Sequence, residues 1–137
     1  MTEPLDHHDG LIYAMVTMSA VDRTVTDAEL ARIGEIVSHL PIFADYDAEK
    51  LIAASQACGE ILGRDNGLRQ MLQLIRTVLP KTLCETAYAV ALEVAAADLD
   101  VRPEETRFLE LLRDALELDL LTSVAIERGI RARNMVL

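Results

Sequence analysis

Four carboxylates stand out by their spacing. The segment "AVDRTVTDAE" at residues 20–29 is answered 76 positions later by "AADLDVRPEE" at 96–105, so that Ala20, Asp22, Val25 and Glu29 match Ala96, Asp98, Val101 and Glu105. Hard divalent cations prefer oxygen ligands. If the two segments converge in space, Asp22, Glu29, Asp98 and Glu105 would offer such an ion four carboxylates. Asp100 could add one in the second copy, where the first has Thr24. The spacing is not that of an EF-hand, whose loop has 12 residues with Gly at the sixth and Glu at the twelfth. Arg23 also sets a cation beside Asp22.

Each residue of the repeat also has a structural task, and this is the leading reading. A helix end leaves backbone groups without partners. An Asp at the exit of a helix can accept from loop amides in an Asx-type turn. Val fills the gap between two helices. Glu at the third position of the next helix reaches back to the N-cap amide, and its charge suits the positive end of the helix dipole. The match extends into the flanking helices: Met18 answers Val94, Ile33 answers Leu109, Ile36 answers Leu112 and Leu40 answers Leu116. Two helical hairpins of about 30 residues therefore look like copies, and a pseudo-twofold axis could relate them.

The elements that must carry these joints read as seven helices. The first spans about 9–21, with Asp9 as N-cap and a stripe of Leu11, Ile12, Met15, Val16 and Met18. The second follows Thr26 and Glu29, a capping-box pair, with Val25 stapled onto Leu30 and Leu30, Ile33, Ile36, Val37 and Leu40 facing inward, and stops at Pro41. The third covers 46–62, with Leu51, Ile52, Ser55, Cys58, Ile61 and Leu62 inward, and "GRDNG" at 63–67 turns the chain. The fourth runs from Leu68 to Pro80. The fifth, about 82–98, is apolar nearly all round between Ala87 and Ala97 and should be central. The sixth starts at Pro103, a favoured first-turn residue. The seventh, about 119–134, has Leu120, Leu121, Val124 and Ala125 as its stripe and Arg128, Arg131 and Arg133 near its end.

Composition agrees with one all-α domain over residues 1–137, ordered from about 9 to 134. Just over half the 137 residues are apolar, which excludes a disordered chain. The net charge of -10 argues against nucleic-acid phosphates and permits a cation or simple solubility. The opening "MTEPLDHHDG" is not a secretory signal, and no apolar run reaches the ~20 residues that span a bilayer, so a cytoplasmic protein is the expectation. Cys58 and Cys84 lack metal or redox spacing and are expected as reduced thiols.

At the repeated joint the sequence resembles the TerB-like, tellurite-resistance family, whose Ala-rich helices end in A-x-D-G-x-V-x-x-x-E, often twice. The resemblance runs from about Leu11 to about Arg133, with Arg23 and Leu99 standing where the pattern has Gly. It implies a compact bundle of about seven helices with two pseudo-symmetric hairpins around a central apolar helix. It implies a scaffold or sensing role in tellurite resistance and stress response, with protein partners and peripheral membrane association through them. It also implies metal binding through acidic residues, which here would be Asp22, Glu29, Asp98 and Glu105. No catalytic chemistry comes with it. Tellurite is an anion, so an acidic cluster would receive it poorly.

Other groups of residues say less. "DHHD" at 6–9 could suggest metal ligands, but adjacent side chains on a helix diverge by ~100°, and a mobile or capping start is the simpler expectation. His39 suits a helix C-terminus. Glu93, alone in its apolar helix, should reach solvent beside Lys81 or Glu85; otherwise an arginine from another helix would pair with it. No nucleotide-loop, nucleophile-elbow or HExxH pattern occurs. Two classes of function remain: a non-enzymatic interaction domain that could hold a divalent cation, which is favoured, and a metal-dependent hydrolase using the same carboxylates. A homodimer through a left-over apolar stripe is a further expectation.

Overall fold

The structure is a computed structural model that describes residues 4–20, 25–96 and 103–137. Seven α-helices follow in order: α1 (His7–Ala20), α2 (Asp27–His39), α3 (Leu51–Leu62), α4 (Gly67–Val78), α5 (Cys84–Ala95), α6 (Pro103–Ala115) and α7 (Leu120–Arg133). Short 3-10 turns at Pro41–Phe43, Ala48–Lys50 and Lys81–Leu83 redirect the chain between them. No strand occurs among the described residues.

Local chemistry sets the ends. Thr26 caps α2 in a complete capping box with Glu29, and Pro41 cannot continue that helix. The first helix begins two residues earlier than expected. Asp6 is its cap: its Oδ1 accepts from the Asp9 amide at 3.2 Å, and Asp9 Oδ2 accepts from the Asp6 amide at 3.0 Å. Asp9 is therefore the reciprocal partner in the first turn rather than the cap. Asp47 caps the turn into α3, which splits the expected 46–62 helix into a 3-10 turn and α3 proper. In the "GRDNG" turn, Asn66 takes a left-handed φ of 60°. A Cβ at Gly67 would stand 2.5 Å from the Ile61 carbonyl oxygen, so only glycine fits there.

The core is built on two helices. Helix α5 is central, as its composition implies, but it shares the centre with α1, on which it packs most extensively. Burial of α1 runs from His8 through Ser19 with Asp9 alone less covered, all round the helix rather than along a stripe. Thr17 and Ser19 are tolerated there because Thr17 Oγ1 meets Cys58 Sγ at 3.5 Å and Ser19 Oγ donates to the Met15 carbonyl at 3.3 Å. Helices α3 and α4 cover α1, and α7 covers α5. Helices α2 and α6 each lean on both central helices and make no broad contact with one another.

Three expectations about side-chain direction fail. Leu30 and Ile52 are exposed, and so are Leu120, Leu121 and Val124 of α7. The face that α7 turns inward carries Ser123 and Ile126. A single helical layer over α5 buries one strip of α7, and the small Ser123 lets the two helices come close. No helix among the described residues is long and apolar enough to cross a membrane.

The two cysteines differ in access. Burial pushes the Cys58 thiol up to about 11, with the Thr17 hydroxyl opposing weakly, while Cys84 is only partly covered and also raised, again first by burial. Thiolate is the reactive form. Titration with a disulfide reagent at pH 8 is therefore expected to count one thiol, Cys84, in the native protein and two in denaturant.

Candidate acidic site at the repeated joint

Glu29 and Glu105 occupy the same place in their helices, the third residue of α2 and of α6, and each is 1% exposed. Fully buried glutamates are rare unless satisfied. For Glu29 the partners are visible. Its Oε1 accepts from the Thr26 amide at 3.0 Å and from the Thr26 hydroxyl at 3.1 Å, while its own amide donates to Thr26 Oγ1 at 3.1 Å. The positive end of α2 adds a favourable field. Its other oxygen, Oε2, is buried without a hydrogen-bond partner among the described residues. A carboxylate oxygen removed from water with no donor is costly, so the structural cap uses only half of this group.

The burial pattern follows the 76-residue offset. Met18 and Val94 are both sealed, and so are Ile33 and Leu109. At Ile36 and Leu112, and at Leu40 and Leu116, the second-copy residue is the more deeply buried. Asp22 and Asp98, the other two carboxylates of the repeat, lie outside the described residues, as do Val101, Thr24 and Asp100. Among the described residues, neither Glu29 nor Glu105 belongs to a cluster of three ligating side chains.

The sequence model of the family described as tellurite resistance protein TerB matches residues 8–127 of the 137. The chain belongs to the TerB family. No curated protein and no solved structure matches it significantly. The TerB match takes in both joints, α1 from His8 onward and all of α2 to α6, so the repeat is an internal feature of one family domain.

A second polar feature sits apart from the TerB joints' own caps. Glu93 does not reach solvent beside Lys81 or Glu85. It is nearly buried on α5, with Arg133 Nη1 of α7 at 3.1 Å from Oε1, off the hydrogen-bond direction, and Arg32 Nη1 of α2 at 3.9 Å from Oε2. These groups border a half-open cavity of about 610 Å³ whose apolar wall includes Ile36, Leu40, Val90 and Ile130. Arg133 therefore does more than complement the end of α7. The sequence carried one sign of this arrangement, a single charged residue between Ala87 and Ala97; nothing in it named the two arginines.

The cap itself can be tested. Thr26→Ala removes one acceptor and one donor from Glu29, and urea denaturation should show a loss of about 1–2 kcal/mol. Thr26→Ser keeps the hydroxyl and should stay within about 0.5 kcal/mol of wild type.

Proposed function

We propose that this TerB domain is a non-enzymatic binding module, a scaffold or sensing component of tellurite-resistance and stress-response systems, whose repeated joint takes a hard divalent cation. Asp22 and Glu29 of the first copy and Asp98 and Glu105 of the second would hold it. The observation that carries this reading is Glu29 Oε2, a sealed carboxylate oxygen with no hydrogen-bond donor among the described residues. An all-oxygen, all-carboxylate donor set suits Ca²⁺, Mg²⁺ or Mn²⁺ rather than softer ions. The bound ion would supply positive charge between helices that otherwise bring buried carboxylates into the core.

The two copies support a shared role. Helices α2 and α6 each touch both α1 and α5, the pattern that a pseudo-twofold exchange of the hairpins would produce. A hydrolase built on the same carboxylates is the weaker reading, because Glu29 and Glu105 are sealed and a substrate must reach the metal's open position. Protein partners, including a second copy of the chain, are supported by the exposed Leu120, Leu121 and Val124 of α7, with Leu121 at 81% exposure.

Calorimetric titration with Ca²⁺, Mg²⁺ and Mn²⁺ tests the proposal. Wild type should bind one of them, and an Asp22→Asn, Asp98→Asn double variant should not. At a hundredfold excess of ion over Kd, linkage stabilises wild type by about 2.7 kcal/mol, which should raise its Tm by roughly 10 °C. No binding in wild type, with a lower Tm in the variant, would make the joint a folding device and remove the cation from the account.

A further inference from the structure

The first turn of α1 gathers a different kind of ligand. Asp6, His7 and His8 each offer an atom, and these atoms all lie within 4.8 Å of one another. Adjacent histidines on a helix ordinarily diverge, yet the two rings tilt together with centroids 4.1 Å apart. His8 is deeply buried, its side chain 7% exposed, beneath Phe43 and Tyr46 at ring distances of 5.5 and 5.1 Å. "DHHD" is thus part of the packed structure rather than a mobile start.

Hydrogen bonding fixes which ring nitrogen is free. His8 Nε2 lies 2.9 Å from the Ile42 carbonyl oxygen, and a carbonyl can only accept, so Nε2 carries the proton. Asp45 Oδ1 stands on the same side at 3.3 Å. The lone pair of the neutral ring is then on Nδ1, which faces Asp6 Oδ2 at 3.6 Å. That oxygen is the one Asp6 does not use for its cap. Two acceptors at this spacing match neighbouring ligands of one small cation, whose edges in a tetrahedral site measure about 3.3 Å. The bond from Nε2 to a backbone carbonyl, with a carboxylate beside it, is the outer support that metal-bound imidazoles commonly have.

We propose that Asp6 Oδ2, a ring nitrogen of His7 and His8 Nδ1 bind a borderline first-row divalent cation, Zn²⁺ or Ni²⁺, with water completing the coordination. Two imidazoles and one carboxylate suit these ions and not Ca²⁺ or Mg²⁺. The positive end of the α1 dipole opposes a cation here. The carboxylates of Asp6, Asp9 and Asp45 offset it. Asp6 Oδ1 is engaged by the Asp9 amide, which leaves Oδ2 for the ion. The site lies at the opposite end of α1 from the repeated joint, about 20 Å away along a 14-residue helix, and does not depend on the joint's function. A bound ion would tie the start of α1 to the 41–46 segment that covers His8.

Zinc and nickel are titrated into the full chain against a chromophoric chelator at pH 7.5, with circular dichroism confirming that each variant is folded. The expected result is one ion per chain. His7→Gln should weaken it at least tenfold, and so should Asp6→Asn, which keeps a capping oxygen but loses the charge. Affinity should fall in acid, because imidazole ligands must be neutral. Cys84→Ser should bind as wild type does. No stoichiometric zinc or nickel on wild type would overturn the proposal, as would binding that survives both His7→Gln and Asp6→Asn, or binding lost with Cys84→Ser.

Discussion

The contact between α1 and α5 is the constraint on which the rest of this TerB domain depends. Both helices are covered on nearly every side, so neither can exist in water without the other five. Ala14 on α1 and Ala87, Ala91 and Ala95 on α5 are all sealed. Small side chains of this kind lose no rotamer freedom and let helix backbones come close. Gly10 extends the same logic toward α4, since a Cβ there would meet Val78 Cγ2 at 2.8 Å. Helix α1 supplies bulk through Leu11, Ile12, Tyr13, Met15 and Met18, and the covering helices add Ile33 and Val37 from α2, Met71 and Ile75 from α4, and Phe108 and Leu112 from α6.

A centre this apolar forces a choice on every polar group near it. Thr17 and Ser19 are satisfied by a thiol and by a carbonyl one turn back. Glu93 keeps two arginines at its mouth, one of them largely in water. Glu29 is handled differently, through the start of its own helix, where amide donors and the dipole favour an anion. Placing a carboxylate at the third residue of a helix is cheap when that residue faces solvent. Here the same residue faces the core, and the cap leaves Oε2 over. Glu105, the third residue of α6, is equally sealed, which makes the burial a property of the joint and not of one helix.

Much of this was legible in the sequence, for identifiable reasons. Seven helices, the Thr26–Glu29 capping box, the stops at Pro41 and Pro80 and the centrality of α5 all follow from local chemistry or from periodicity. The inward faces of α3 and α7 were less legible. A helix that covers a bundle buries only a narrow strip, and apolar residues beside the strip, such as Ile52 and Leu121, read the same as those in it. The site was half legible. Spacing picked out Glu29 and Glu105, and both are buried. It could not show that Thr26 satisfies one oxygen of Glu29 and leaves the other. Nor could it pair Glu93 with Arg32 and Arg133, or bring Ile42 and Asp45 to His8, because those partners are 34 or more positions away in the chain.

The two ends of α1 show how one helix can present two unlike environments. At its start stand two imidazoles and carboxylates; at its far end begins a joint whose donors are carboxylates alone. Helix direction does not explain the contrast, since a dipole favours cations at the C-terminal end and opposes them at the N-terminal end. Donor chemistry and burial do. A neutral ring is less costly to bury than an ion, and His8 lies beneath Phe43 and Tyr46 with Nε2 on the Ile42 carbonyl. A carboxylate cannot be buried so cheaply, which is why Glu29 needs the Thr26 amide, the Thr26 hydroxyl and a helix N-terminus merely to be half satisfied. The same arithmetic explains the surface. With 23 acidic and 13 basic residues in the chain, most carboxylates of the described residues stay in water, and the few among them that do not are found where a helix start or an arginine receives them.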